Sequence, residues 1–319
     1  MNKSLPESKF RLIRMLDFFF LLRPVLLIPY WTFFLLGYYQ ALVNDKLGLR
    51  IIWPLQWEVI PILLVGTLFF GIVYILNQIT DREADKINDK LFFIPRGIIS
   101  IQAAYTEASV LFAISLVVLL LMKIDPLRLL LVSSILIVGI FYSVKPFRFK
   151  ARPVVDALSN CLVYGWTIFA LGWMMVTGDD FWEGSRQALP YICAVMAVFL
   201  NTTLVDIKGD RAEGLCTTGI WLGETTSSIL SVVFIALAIG LSIWLGNWIV
   251  LIPAVVSLPL YVLAAIRKTK KSYLLSLQLP GRLLVLISGI LFPIYLGFLV
   301  LLYFLTKWYY RRRFDFDYP

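Results

Sequence analysis

The sequence predicts an all-α membrane protein, a multi-pass helical bundle of about nine transmembrane helices. Of its 319 residues, 60% are hydrophobic and 15% are charged, and the mean hydropathy is +0.84. These values lie far outside the range of soluble globular proteins. Apolar stretches long enough to cross a hydrocarbon core of roughly 30 Å recur along the chain. No string of short alternating segments accompanies them, so helices are expected and a β-barrel is not.

Nine apolar segments account for the predicted crossings. They begin near Leu16, Val59, Ala103, Leu127, Val154, Leu189, Ser227, Trp248 and Leu283. The segment before the first span is polar and basic, but no small-residue cleavage site follows a short apolar core. The first span is therefore expected to remain in the protein. We expect a single membrane domain over residues 1–319.

Lysine and arginine gather in alternate connecting segments, which indicates the orientation of the helices. With the N-terminus in the cytoplasm, the inner segments hold 19 of these residues and the outer loops hold 5. Cytoplasmic loops carry such an excess, so we expect a cell-membrane protein in this orientation. The C-terminal tail is an exception, because nine crossings place Lys307 and Arg311–Arg313 outside. The alternative is a last segment that does not fully cross.

Composition also excludes several kinds of site. The net charge of +9 arises from inner loops that face anionic lipid, so nucleic-acid binding is not expected. Cys161, Cys193 and Cys216 are far apart and have no partner motif, so neither a disulfide framework nor a zinc site is expected. Histidine is absent. Catalysis would therefore rest on carboxylates, Lys, Arg, Tyr or a metal ion.

Two acidic runs stand at the ends of apolar segments. Asn77, Asp81 and Asp85 recur every fourth residue after the second span, and so share one helix face. Asp206 and Asp210 repeat the spacing after the sixth span, on the same side of the membrane. Such carboxylates would repel one another without cations between them, so two facing pairs predict a metal cage. The alternative is a solvated helix end with local ion pairs.

Oxygen ligands of this kind suit Mg2+ better than zinc or copper, and Mg2+ implies a substrate that carries phosphate. The loop between the fourth and fifth spans, Tyr142–Pro153, supplies cations for such a substrate. Arg148 and Lys150 could neutralise a diphosphate, and ordinary positive-inside charge is the alternative. The predicted active-site cavity thus lies near the cytoplasmic side. Other inner segments add Lys90, Arg96, Lys208 and Arg211.

The runs NQITDREAD, YSVKPFRFK and DIKGDRAEG resemble the motifs of the UbiA-type intramembrane prenyltransferases. The Arg23-Pro24 pair in the first span and the Ile94-Pro95 pair after the first run also fit. The resemblance implies that the two acidic motifs bind two Mg2+ ions, which hold an isoprenyl diphosphate. The implied metal ligands are Asn77, Asp81, Asp85, Asp206 and Asp210, and the four aspartates are the expected catalytic residues. The candidate substrate-binding residues are Asn77, Lys90, Tyr142, Lys145, Arg148, Lys150, Lys208 and Arg211.

The chain departs from the family pattern at three places. Many members have Asn-Arg-Pro where this chain has Leu91-Phe92-Phe93, so one expected arginine is missing and Lys90 or Arg96 would replace it. Many follow the second motif with Gly-Lys-x-Thr, whereas this chain has Gly214-Leu215-Cys216-Thr217. Some relatives have a further aspartate where this chain has Thr203. These departures leave the metal cage intact and concern only the partners of the diphosphate.

The expected reaction is heterolytic. Metal ions and surrounding cations stabilise the departing diphosphate, which leaves an allylic cation in a dry, apolar and electron-rich enclosure. Aromatic residues on spans beside the motifs are candidates for this enclosure: Tyr74, Phe141, Tyr164, Trp166, Phe169 and Trp173. The acceptor is not identified by any residue. Family acceptors range from aromatic acids to a glycerol phosphate ether, chlorophyllide, a phosphorylated sugar and a carotenoid end.

Two other functions remain open. A terpene cyclase of the same superfamily closes the prenyl chain on itself, and the same metal cage would serve it. A transporter or channel can also bear intramembrane acids and basic gates. Transport acids tend to lie near the bilayer midplane, often at a broken helix, whereas the acidic motifs of this chain lie at span ends beside basic loops.

Overall fold

The computed structural model describes residues 7–43, 50–87, 93–178, 180–212 and 214–318. Within these ranges the chain forms thirteen α-helices and no strand, and nine segments are long and apolar enough to cross a membrane, which confirms the predicted fold class. The helices are α1 (Glu7–Leu21), α2 (Ile28–Val43), α3 (Val59–Thr80), α4 (Arg82–Ile87), α5 (Ile101–Met122), α6 (Pro126–Ser143), α7 (Val155–Asn160), α8 (Ile168–Thr177), α9 (Phe181–Ala212), α10 (Thr218–Trp244), α11 (Trp248–Arg267), α12 (Lys270–Leu291) and α13 (Pro293–Phe314).

Most spans begin close to their predicted positions, but three begin earlier. Helices α9, α10 and α12 start about two to four turns before the predicted sites. The first turns of α9 and α12 carry charged residues, Glu183 and Lys271 respectively. In α9 and α12 these side chains lower the local hydropathy while the helix continues, so hydropathy alone places the start of each span too late. In α10 a kink at Gly223, whose φ of 78° and ψ of 163° are not helical, separates the first turn from the long apolar segment. That segment therefore begins close to the predicted Ser227.

A break interrupts the last predicted span. Helix α12 ends at Leu291, and α13 begins at Pro293, whose ring is suited to the first turn of a helix. The amide of Ile52 donates to the carbonyl of Leu291 at 2.9 Å, so the break lies beside the connection between α2 and α3. Helix α13 then returns along the bundle as a further helix of 22 residues.

The end of α13 contacts the first span near its start. The Tyr309 hydroxyl donates to Asp17 Oδ1 at 2.5 Å, and Arg313 Nη2 lies 3.0 Å from Asp17 Oδ2. The Tyr309 ring also stacks on Phe20, with 3.9 Å between the ring centroids. The basic tail therefore lies at the same end of the bundle as the start of the first span. This corrects the opposite placement that nine crossings imply, and it removes the exception to the charge pattern.

A kink in the first span brings an arginine into the interior. Helix α1 ends at Leu21, and Arg23 has a φ of 51°, in the left-handed region that residues other than glycine seldom occupy. A 3₁₀ turn, Pro24–Leu27, then leads into α2. The Arg23 side chain consequently lines two internal cavities and does not face the lipid.

Helices α2 and α8 approach each other closely and support the walls of these cavities. A Cβ at Gly37 would lie 2.0 Å from the carbonyl oxygen of Phe169, and one at Gly172 would lie 2.0 Å from that of Phe34. Small residues allow such close backbone packing between membrane helices. Helix α6 packs against both α8 and α3, so the tight pair also positions the site-bearing end of α3.

Helices α7 and α8 form one span that is joined by a π-helical segment, Cys161–Thr167. Local π-helix widens a helix and is frequent at functional sites. Here it lets Asn160, Val163 and Tyr164 line a common cavity with α3 and α6.

Candidate active site

The first acidic motif lies where α3 gives way to α4. Backbone hydrogen bonds of 2.9 Å run from the Asp81 amide to the Asn77 carbonyl and from the Asp85 amide to the Asp81 carbonyl. The four-residue spacing is therefore helical, as the sequence predicts. Asn77 Nδ2 donates to Asp81 Oδ2 at 2.8 Å and to Ser143 Oγ, on α6, at 3.2 Å. Asp85 is buried.

The basic loop after α6 folds onto this motif. The Lys150 ammonium donates to Asp81 Oδ2, and Arg148 Nη2 lies 3.9 Å from Asp81 Oδ1. Arg148 has a φ of 39°, and a 3₁₀ turn, Phe149–Ala151, follows it. A left-handed residue of this kind is costly and is typical of functional sites. The two cations expected at a diphosphate thus meet the motif carboxylate directly.

One oxygen of Asp81 has room for a further ligand. Asp81 Oδ1 is buried and accepts no hydrogen bond, although buried carboxylate oxygens normally have a partner. Arg148, at 3.9 Å, is too distant to provide one. A carboxyl oxygen without a hydrogen-bond partner, in a side chain that contacts the Asn77 carboxamide, fits the oxygen-only donor set that Mg2+ prefers.

The second acidic motif forms the last turns of α9. Asp206 and Asp210 are four residues apart in continuous helix, and Gly214, with a φ of 70°, follows its end. Asp210 is half-buried, and Asp206, Lys208 and Arg211 are exposed. Asp210 lies close enough to Tyr142 to interact with it electrostatically.

The two acidic motifs do not form a closed cage in the described part of the chain. No three Cys, Asp or Glu side chains there converge as a metal site. The facing arrangement of Asp81 and Asp85 with Asp206 and Asp210 therefore stays a prediction. Lys145 is exposed, and Lys90 lies outside the described residues.

An apolar cavity of about 240 Å³ opens beneath the first motif. Its polar end carries Arg23, Asn77, Tyr142, Ser143 and Asn160. Its deeper walls are Phe70, Val73, Tyr74, Ile135, Val138, Gly139, Val163 and Tyr164. The polar end thus joins the charged cluster, and the remainder is suited to a hydrocarbon chain. We call it the motif cavity.

Two of the six aromatic residues predicted for the enclosure line the motif cavity. The Tyr74 hydroxyl donates to the carbonyl of Leu26 at 2.9 Å and lies 3.3 Å from the Tyr164 hydroxyl. Phe169 and Trp173 are instead buried against other helices and do not line it. Arg23 also lines a second cavity of about 350 Å³, walled by Gln78, Phe93 and the C-terminal Tyr310 and Tyr318 among others.

The sequence reasoning missed the anchor of the basic loop. Asp156, which is buried at the start of α7, accepts hydrogen bonds from the Thr218 amide at 2.8 Å and from the Thr218 hydroxyl. The Val154 amide donates to the same hydroxyl oxygen at 2.7 Å. Val154 has a φ of 69°, which is strained for a β-branched residue. An aspartate at the start of an apolar span was the available signal.

The fold and the site define a multi-pass integral membrane protein with an acidic and basic cluster at the mouth of an apolar cavity. The chain belongs to the UbiA prenyltransferase family, whose family model matches residues 26–276. This finding confirms the resemblance that the three sequence motifs carry.

Two similar relatives have different names. The digeranylgeranylglyceryl phosphate synthase of Natronomonas pharaonis is 32% identical over 191 residues, which are 57% of this chain and 66% of that enzyme. The 2-acylphloroglucinol 4-prenyltransferase of Humulus lupulus is 28% identical over 190 residues, which are 56% of this chain and 44% of that enzyme. The chain thus matches less than two thirds of either relative's length.

Solved structures share the fold. A UbiA homolog from Archaeoglobus fulgidus, bound to GPP and Mg2+, has a TM-score of 0.61 at 19% identity. The superposition covers 87% of this chain and 99% of the homolog's chain. A UbiA homolog from Aeropyrum pernix K1 has a TM-score of 0.60 at 18% identity and covers 84% and 98%, respectively. At these identities the likeness concerns the helical architecture.

The anchor of the basic loop can be tested through stability. Thr218→Val removes the hydroxyl that links Asp156 to the Val154 amide, so we expect a loss of about 1–3 kcal/mol in the free energy of unfolding. Thr202→Val is the matched control, because Thr202 is exposed and its hydroxyl donates only to the Val198 carbonyl of its own helix. Thermal unfolding in detergent should show the loss for Thr218→Val alone, and equal melting temperatures for both variants would contradict the anchor.

Proposed function

We propose that this protein transfers an isoprenyl group from an isoprenyl diphosphate to a lipophilic or aromatic acceptor, in a reaction that depends on Mg2+. The observation that carries the proposal is the position of Asp81, Arg148 and Lys150 at the mouth of the motif cavity. Family membership supports it. So does the homolog from Archaeoglobus fulgidus that is bound to GPP and Mg2+.

The metal would be held by the oxygens of Asn77, Asp81, Asp85, Asp206 and Asp210. The open valence of Asp81 Oδ1 supports this assignment. Mg2+ bound there would supply the positive charge that stabilises a departing diphosphate.

The basic side chains would bind and orient the diphosphate. Lys150 and Arg148 now neutralise Asp81, and positive charge arriving at that carboxylate would free both of them to bind phosphate oxygens. Arg fits such oxygens through paired N–H groups, and Lys acts as a point charge. Tyr142, Lys145, Lys208, Arg211 and Lys90 are further candidates for this role.

The motif cavity would hold the isoprenyl chain while the carbon–oxygen bond breaks. The bonding electrons leave with the diphosphate, and the allylic cation stays in the outer part of the cavity, where Tyr74 and Tyr142 lie closest to the motif. Aromatic faces stabilise cations, and apolar walls exclude water. The acceptor then attacks the first prenyl carbon with an electron pair and releases a proton.

The relatives support several acceptors. Their names include a digeranylgeranylglyceryl phosphate synthase, a 2-acylphloroglucinol 4-prenyltransferase and a probable homogentisate phytyltransferase. These names imply acceptors of different chemistry, so the acceptor is best identified by experiment. Membranes that contain the protein should be incubated with Mg2+, a lipid extract and geranyl, farnesyl or geranylgeranyl diphosphate, followed by mass spectrometry.

The products distinguish the possible reactions. A prenylated acceptor supports transfer, and a cyclic hydrocarbon with released diphosphate supports a terpene cyclase. If no donor releases diphosphate, the proposal fails and the transporter alternative returns.

Removing either acidic motif should abolish turnover. We expect Asp81→Ala and Asp210→Ala to lose Mg2+-dependent release of diphosphate while remaining folded, because each removes a proposed metal ligand. Asp180→Ala is the control, since Asp180 is exposed at the start of α9, at the opposite end of that helix from Asp210. Diphosphate release should be measured at saturating Mg2+, and full activity in either motif variant would refute the metal cage.

The two arginines of the basic loop should differ in donor binding. Arg148→Ala is expected to weaken binding of geranyl diphosphate by about ten-fold to a hundred-fold, the effect of losing one charge-assisted contact. Arg152 has a structural role, because its Nη2 donates to the Pro146 carbonyl at 3.0 Å. Titration calorimetry in the presence of Mg2+ should show a much smaller effect for Arg152→Ala, and an equal effect would count against the assignment.

We also propose that the protein resides in the cell membrane with its site facing the cytoplasm, as the distribution of lysine and arginine supports. Cys216 is exposed just after the second acidic motif, and Cys161 is buried. A membrane-impermeant maleimide should therefore label inverted membrane vesicles and spare right-side-out vesicles. Cys216→Ser should lose the label. Labelling of right-side-out vesicles that depends on Cys216 would reverse the orientation.

A further inference from the structure

The inner end of the motif cavity is lined by aromatic side chains. Phe70 is the cavity residue of α3 that lies farthest from Asn77, and its ring is 5.5 Å from that of Tyr164. Ile135 is the corresponding residue of α6. Phe70, Tyr164 and Ile135 together form what we call the cavity floor.

Tyr30 of α2 fills the space behind Phe70. Its ring lies 5.3 Å from the Phe70 ring, and the residue is completely buried. Its hydroxyl donates to the carbonyls of Ile62 and Leu63 of α3, at 3.3 and 3.2 Å. The ring contact and a hydrogen bond shared between the two carbonyls thus hold the Tyr30 ring against α3.

A glycine makes room for this tyrosine. A Cβ at Gly66, one turn beyond Phe70, would lie 2.1 Å from the Tyr30 hydroxyl oxygen. The hydroxyl therefore occupies the place of a side chain on α3. A hydrocarbon chain that runs along α3 meets Phe70 first and Tyr30 behind it.

The depth of the motif cavity follows from the helix rise. Between Asn77 and Phe70, α3 advances about 10 Å, and between Ser143 and Ile135, α6 advances about 12 Å, at about 1.5 Å per residue. The length of a geranyl chain matches this depth. The longer farnesyl and geranylgeranyl chains would extend past the floor.

From this geometry we infer that Phe70, supported by Tyr30, limits the isoprenyl chain and selects a short donor. The inference rests on the proposed function. Each further isoprene unit gains affinity only if it is buried, and each buried methylene group contributes appreciably. A closed floor removes that gain, so wild-type affinity should not rise from geranyl to farnesyl diphosphate.

The test compares donor binding in two opposite variants. Phe70→Ala opens the floor, and we expect the affinity for farnesyl relative to geranyl diphosphate to rise at least about ten-fold. Val163→Phe fills the buried wall near the floor, and we expect it to weaken geranyl diphosphate binding while inorganic diphosphate binds unchanged. Dissociation constants are measured by calorimetry on the full chain in detergent with Mg2+.

Phe292→Ala is the matched control. Phe292 is equally large and buried, but it packs against Tyr38 and Tyr39, away from the motif cavity. The Phe292→Ala variant should rank the prenyl diphosphates by affinity in the same order as the wild type. If Phe70→Ala does not fold, the wild-type order of affinities for geranyl, farnesyl and geranylgeranyl diphosphate still tests the floor.

The outcomes separate this inference from the proposed function. If neither inorganic diphosphate nor any prenyl diphosphate binds, the proposed function fails. A different result would refute only the floor: all the diphosphates bind, the wild type binds the longest prenyl chain most tightly, and both cavity variants keep that order of affinities. The prenyl chain would then leave the cavity sideways between helices.

Discussion

The ion pair between Lys150 and Asp81 determines the arrangement of the whole site. Asp81 stands at the end of an apolar helix, where an uncompensated carboxylate is costly, and Lys150 and Arg148 supply the compensating charge. The same contacts draw the loop after α6 over the mouth of the motif cavity. Replacing Asp81 and Lys150 by two apolar residues would remove the desolvation cost of the ion pair, but it would also remove the charges at the mouth of the cavity. The pair is therefore better explained by a function in binding than by a contribution to stability.

The loop that carries these cations is held at its far end by a different kind of interaction. Asp156 receives an amide and a hydroxyl hydrogen bond from Thr218 and a further bond from the Ala157 amide at 2.7 Å. Because these donors belong to two helices, the anchor joins α7 to the start of α10, immediately after the second acidic motif. The strained backbone at Arg148 and Val154 persists because both ends of the loop are fixed. A rigid loop between the two motifs keeps the cations in place without a ligand.

The sequence predicts the parts of this structure that depend on local periodicity. Asn77, Asp81 and Asp85 share a face because helical hydrogen bonds continue through the motif, and apolar stretches identify the spans. The return of α13 was missed because α12 and α13 are one continuous apolar stretch, interrupted only by Pro293. The contacts of Asp17 with Tyr309 and Arg313 connect residues almost a chain length apart. No pattern within one segment reveals such a partner.

The cavity floor also bears on the choice between an enzyme and a transporter. A transporter needs a route that can open from one side of the membrane to the other, commonly at a broken helix near the midplane. In this chain, α3 runs unbroken from Val59 to Thr80, and Tyr30 is hydrogen-bonded into the space at Gly66 directly beyond Phe70. Opening a route along α3 would break the shared hydrogen bond of the Tyr30 hydroxyl and leave a buried void where an aromatic side chain now packs, a cost of several kcal/mol. The charges around Asp81 and the lining of the motif cavity lie on one side of Phe70, and Tyr30 lies on the other, an arrangement that suits a binding site for chemistry better than a route across the membrane.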